Sequence, residues 1–285
     1  MMVCLFFCCF KKKVVSSYEI ERGENMNILT FYISKGGSGK TTCSLNMAYA
    51  LGEIGQRVLL IDLDPQGSLS KLMLKESDTI KYMTMFDVHT RNLDIKEVLF
   101  DDDTYHVSLL PSNERNARLI NLISEQDKLF LLKDMIKPLE DEFDWIILDS
   151  VPSINELSKV VLSTSDMTII PFMPKKLVFD QLASTVRTVQ KVKKFYNQDL
   201  VITGILPVAM DASLRADKEY YEAMEEIAKE ESLTILPMIR RSTFIEKAAD
   251  SGKSVIQYRS KESKVLAEPF RQLARQLVKQ VGETS

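Results

Sequence analysis

Residues 34–42 read SKGGSGKTT, directly after the apolar run ILTFYI at 28–33. Gly36, Gly37 and Gly39, ahead of Lys40 and Thr41, are the ingredients of a phosphate cradle. A chain without side chains can curl until successive N–H groups converge on an anion, and the start of a following helix adds its unsatisfied donors and its positive dipole end. Lys40 then reaches the outer phosphates, the Thr41 hydroxyl holds a magnesium ion bridging them, and Ser38 and Thr42 complete the loop. A glycine-rich structural turn is the bland alternative, and the strand-to-helix setting argues against it. The general pattern begins with glycine, whereas Ser34 stands here and a second lysine, Lys35, follows it. A lysine at this place adds positive charge where the β and γ phosphates would lie.

A triphosphate site also needs carboxylates near the metal and the attacking water. VLLIDLDPQG supplies Asp62 and Asp64, and DWIILDSVPS supplies Asp149. Asp149, after four apolar residues, fits the role of holding magnesium through water, and Asp64 sits just past a strand end, where it can orient or activate water for in-line attack. Alone, each aspartate would read as a strand-end cap or turn residue. Beside a glycine loop, they read as one site.

The elements that must position these groups alternate in type. Short apolar runs at 28–33, 57–61, 106–110, 145–148, 167–171, 201–206 and 234–236 read as strands; three-and-four apolar spacing predicts helices over 42–54, 127–139, 177–196, 214–231 and 262–281. That alternation is the signature of an α/β, doubly wound, mostly parallel sheet flanked by helices, whose ligands gather at the carboxyl ends of the strands. No Gly/Ser/Pro-rich linker divides the chain, so residues 26–285 are expected to form one domain. Residues 77–103, weakly patterned and ending in DDD, are expected to be a surface excursion. Residues 1–25, before Met26, read as a disordered extension or a start site placed too early.

Composition excludes other classes. Three of the four cysteines, Cys4, Cys8 and Cys9, crowd the first ten residues, which is no disulfide framework and suits a reducing cytosol. The opening MMVCLFFCCFKKK has its positive charges after the apolar run, unlike a secretory signal, and is too short to span a membrane. The net charge of −3 hides an uneven distribution: residues 65–149 carry ten Lys and Arg against seventeen Asp and Glu, and residues 240–264 carry seven against three. The second stretch is either a solvated surface or a basic face.

SKGGSGKTT, LLIDLDPQG and DWIILDSVPS, in this order and spacing, resemble the deviant Walker-A ATPases of the ParA/MinD class, and DLDPQ favours the ParA (Soj-like) partition branch. FIEKAADSGKSVIQY is similar to a region near the family's C-terminus, so the resemblance runs from about Asn27 to the end. It implies ATP and Mg2+ as cofactors, weak basal ATP hydrolysis, and a homodimer that sandwiches two nucleotides, with Lys35 crossing to the partner subunit's phosphates. It further implies non-specific DNA binding by the ATP-bound dimer, release by a ParB-type centromere-binding protein, and a cytoplasmic, nucleoid-associated location. Arg241 falls on a position that is often arginine in the family; Arg240 and Lys247 lie beside it, and Lys253, Arg259, Lys261 and Lys264 extend the positive charge. The family's second arginine is replaced by Phe244, and Val151 replaces the first of two adjacent prolines. GILPVAMDAS corresponds to the adenine-side region, with Pro207 placed to contact the base.

Other functions remain to be weighed. In a MinD-like membrane switch the last helix, with Phe270, Leu273, Ala274, Leu277, Val278 and Val281 on one side, would lie on lipid, although such a stripe more often packs on its own domain. An iron–sulfur branch would need interface cysteines, and from residue 26 onward the chain has only Cys43. A nucleotide-binding scaffold without hydrolysis is a further alternative.

Overall fold

The computed structural model describes residues 26–75, 80–125, 129–150 and 156–283. The N-terminal extension, Val151 and its neighbours lie outside them.

Seven strands form one sheet: β1 (Asn27–Phe31), β2 (Val58–Asp62), β3 (Phe100–Asp102), β4 (Val107–Leu110), β5 (Trp145–Asp149), β6 (Met167–Phe172) and β7 (Val201–Pro207), in the order β3-β4-β2-β5-β1-β6-β7. All neighbours pair in parallel except β3, which runs antiparallel on β4 at the edge. The central strands are near-continuous apolar runs because both faces are covered. Leu29, Phe31, Leu60 and Ile147 point to one core, and Ile28, Leu59, Ile61 and Leu148 to the other, as the two-residue period of a strand requires.

Ten α-helices occur among the described residues: α1 (Lys40–Glu53), α2 (Ser68–Leu74), α3 (Met85–Arg91), α4 (Asn116–Glu125), α5 (Leu131–Ile136), α6 (Glu156–Thr164), α7 (Lys176–Phe195), α8 (Arg215–Glu230), α9 (Thr243–Asp250) and α10 (Lys261–Gly282). The first core packs α1 and α10 on the sheet, the second packs α3–α6, and a third sets α7 and α8 against β6 and β7. The apolar side of α10 belongs to the first core: Phe270, Leu273, Ala274 and Leu277 are buried and Val278 and Val281 pack against them. The stripe that would lie on lipid is thus already covered by α1 and the sheet. No described helix is long and apolar enough to cross a membrane.

Two expectations are corrected. The run at 234–236 is no strand of the sheet. It touches β7 through an isolated bridge, Ile205 to Ile235, and Pro237 follows without the N–H that would continue a ladder. The stretch 77–103, as far as it is described, is no mere excursion: α3 buries Met85 and Val88 in the second core, Ile95 follows, and β3 closes the sheet edge. Its apolar residues were too sparse among acids to declare a period.

Candidate functional site

The glycine loop joins the end of β1 to α1. Gly37 and Gly39 take left-handed backbone angles, φ +67° and +87°, that residues with a side chain avoid. Gly39 is the N-cap of α1, where no side chain caps the helix and the first turn holds no acid, so the N-terminal donors and the positive helix end are left for an outside anion. The loop is held from within, since the Ser38 hydroxyl donates to the Lys35 carbonyl at 3.0 Å. Ser34, the departure from the general pattern, ties the loop to α7. Its hydroxyl donates to Gln181 Oε1 at 3.3 Å and lies 3.2 Å from Thr185 Oγ1.

The two lysines are in different situations. Lys40 is buried, and its ammonium donates to the Ile33 and Lys35 carbonyls at 3.2 and 3.1 Å. Burial pulls its pKa down to about 8, against the opposing pull of the Asp149 and Asp64 carboxylates. The half-buried Lys35 side chain has no hydrogen-bond or ion-pair partner among the described residues.

Asp62 and Asp149 end adjacent strands in register, next to the first turn of α1. Burial raises the Asp149 pKa to about 6, offset in part by hydrogen bonds from the Thr41 and Ser44 hydroxyls; Ser44 Oγ lies 3.1 Å from Oδ1. Asp62 is also pushed up, by burial first and by Asp149 second. It accepts from the Asp64 N–H at 3.0 Å and from Ser70 N and Oγ at 2.9 and 2.6 Å. Asp64 is only half-buried: Oδ1 accepts the Gln66 N–H at 2.8 Å, and the other oxygen has no partner among the described residues. The three aspartates thus differ by what holds them, which their sequence pattern could not show.

These groups suit a nucleoside triphosphate with magnesium. The uncapped helix start and the left-handed glycines form an anion cradle, Lys40 is exchangeable from carbonyls to phosphate, and Thr41 and Asp149 offer hard oxygens. Among the described residues no three His, Cys, Asp or Glu side chains gather as a metal cage. A mostly apolar cavity of about 110 Å³ adjoins the loop, lined in part by Gly39, Thr42, Val208, Ala209, Arg240 and Phe270. Pro207, expected near a base, is buried inside β7 and is not among the lining residues; the two residues after it are.

The remaining candidates follow β7 on separate elements. Arg240 is exposed at the cavity, Lys247 is exposed on α9, and Arg241 donates to Asp217 Oδ2 at 3.3 Å. Phe244 packs edge-on to Tyr258, with ring centroids 5.1 Å apart, so an apolar pairing occupies the place of the family's second arginine. Sequence reasoning missed Ser44, Ser70, Ser112 and Asn116, polar residues in no motif that become visible only when the strand ends meet.

Residues 26–202 match the AAA_31 family, an AAA domain. The chromosome partitioning protein ParA of Myxococcus xanthus is 27% identical over 86% of this chain and 85% of its own. The sporulation initiation inhibitor protein Soj of Bacillus subtilis is 28% identical over 87% and 98%. The chain belongs to the ParA/Soj family of partition ATPases. The fold extends to other ATP users of this class: cobyrinic acid a,c-diamide synthase of Mycobacterium smegmatis, solved with bound ADP and magnesium, superposes with a TM-score of 0.75 at 25% identity, covering 91% of this chain and 97% of that one. A partition or positioning ATPase is therefore the function class, with nucleotide and magnesium as the ligands of the family.

Proposed function

We propose that this chain is a DNA-segregation ATPase, with residues 26–285 acting as one unit. Its ATP-bound homodimer binds DNA without sequence preference and lets go when a ParB-type centromere-binding partner stimulates hydrolysis. It works in the cytoplasm on the nucleoid.

The observation that carries this reading is the contrast between the two lysines. Lys40 is folded into its own loop and is the cation for the phosphates of its own site. The Lys35 side chain has no hydrogen-bond or ion-pair partner among the described residues of its own chain, as a side chain that completes the partner subunit's site would not. A cation supplied in trans makes hydrolysis depend on dimerisation, in the manner of an arginine finger.

Magnesium, when bound, neutralises charge on the β and γ phosphates. Thr41 and Asp149 would hold the ion, and the N–H groups of residues 36–41 would hold the phosphates. Lys40 exchanges the Ile33 and Lys35 carbonyls for phosphate oxygens. Asp64, with one oxygen fixed by the Gln66 N–H, uses the other to orient the attacking water. The cavity beside Gly39, lined in part by Val208 and Ala209, would take the base.

DNA binding rests on Arg240, Arg241 and Lys247, continued by Lys253, Arg259, Lys261 and Lys264. Binding to DNA phosphates depends on summed charge more than on any one side chain. The test is ATP-dependent binding to non-specific duplex DNA by wild type and Lys35→Ala. Binding by the wild type alone is expected; equal binding by both would refute the trans role.

A further inference from the structure

Beneath the carboxyl ends of β2 and β4 lies a closed polar cluster that the ATPase reading does not use. Asp62, Ser70, Ser112 and Asn116 are all essentially closed to solvent. Ser70 is on α2, Ser112 follows β4, and Asn116 opens α4. Ser70 Oγ donates to Asp62 Oδ2 at 2.6 Å and accepts the Ser112 N–H at 2.8 Å. Ser112 Oγ accepts from Asn116 Nδ2 at 2.7 Å and donates to the Asp64 carbonyl at 2.6 Å. The Phe86 N–H, donating to Asn116 Oδ1 at 3.3 Å, fixes which way that amide faces. Each hydroxyl therefore has one donor and one acceptor assigned, and the cluster has a single direction of hydrogen bonding.

Its final acceptors are the Asp62 carboxylate and the Asp64 carbonyl. The Asp64 N–H is held by Asp62, and the Asp64 carbonyl is held by Ser112 and by the Gly67 N–H at 2.8 Å. Both peptide groups flanking the Asp64 side chain are thereby fixed from below, while its outer carboxylate oxygen stays open. Satisfying a carbonyl serves the fold, and here the Ser112 hydroxyl does so on the residue that the ATPase reading places at the attacking water. We infer that Ser112 is a positioning residue for ATP hydrolysis: with Asn116 orienting its hydroxyl, it sets the backbone from which Asp64 presents its carboxylate to the attacking water. The inference rests on the reading of Asp64 as the water-orienting carboxylate.

A small displacement of a water-orienting group lowers the rate of the chemical step without touching nucleotide binding, whereas a general loss of structure lowers both. The experiment uses the full chain and measures steady-state ATP hydrolysis in the presence of duplex DNA, together with direct binding of a fluorescent ATP analogue. Ser112→Ala is expected to lower kcat about tenfold or more while the affinity for the analogue stays within about twofold. Asn116→Ala, which keeps the Ser112 hydroxyl but releases its orientation, is expected to lower kcat less, with the same split. If Ser112→Ala does not fold, Asn116→Ala decides alone: a lowered kcat at unchanged affinity supports the inference. An unchanged kcat, or kcat and affinity falling together, overturns it. Asp64→Ala is the control. If that variant hydrolyses ATP at the wild-type rate, the reading of Asp64 fails; if it is inactive while Ser112→Ala is normal, only the role of Ser112 fails.

Discussion

Under the proposed function, the glycine loop and the basic stretch 240–264 bind the same chemical group by opposite means. In the loop the phosphate donors are backbone N–H groups, fixed by left-handed Gly37 and Gly39 and by an uncapped helix start, with one buried lysine at the centre. On the basic side Arg240, Lys247, Lys253, Arg259 and Lys264 are exposed side chains on different elements, and Arg241 is already shared with Asp217. A site made of backbone tolerates no exchange and is specific to one ligand. A surface made of summed charge tolerates scatter, so Phe244 within this stretch can pair with Tyr258 instead of carrying charge.

The contrast predicts how each region breaks. Lys40→Ala should weaken ATP binding by on the order of a hundredfold or more, because the charge-assisted hydrogen bond to the outer phosphates disappears from a desolvated place; calorimetric titration with ATP and magnesium checks this. Asp64→Ala should lower kcat by about 10²–10⁴-fold and leave ATP affinity unchanged, as measured by hydrolysis and titration on the same sample. On the basic side, removing Arg240, Arg241 and Lys247 together should weaken DNA binding equally for all sequences. It should also reduce the slope of log affinity against log salt by at most about 0.9 for each DNA phosphate that is no longer neutralised. A single Arg241→Ala should do least, a few-fold at most, since its guanidinium is divided between solvent and Asp217.

Protonation sharpens the loop side further. Phosphate binds the protonated form of Lys40, whose pKa in the free protein is held down to about 8, so ATP affinity is full below that value and is lost as pH rises through it. Magnesium binds the ionised form of Asp149, raised to about 6, so affinity also falls as pH drops below that value. The expected profile is a plateau between about 6 and about 8, with limbs of at most about tenfold per pH unit for a single proton.

Much of this was legible in the sequence because the signals were long or chemically narrow. β1, β2, β5, β6 and β7 are largely apolar runs, α7, α8 and α10 carry their period over many turns, and Gly-Lys-Thr after a strand has few other uses. What stayed hidden was short or depended on distant partners. α2, α3 and α9 have too few turns to declare a period, and β3 is the acidic triplet FDD, a strand only because β4 lies beside it. The distinct surroundings of Asp62, Asp64 and Asp149 come from Ser70, Gln66 and Ser44, and the tie from Ser34 to Gln181 joins residues 147 positions apart. No local pattern encodes such pairs.

The central claim is that the site is complete only when two copies meet, through Lys35. The most direct measurement is light scattering of Asp64→Ala, which should hold ATP without cleaving it, compared with the same variant carrying Lys35→Ala, each with and without ATP and magnesium. The account predicts an ATP-dependent dimer for the first and a monomer under all conditions for the second. Dimers of equal stability in both proteins would contradict it.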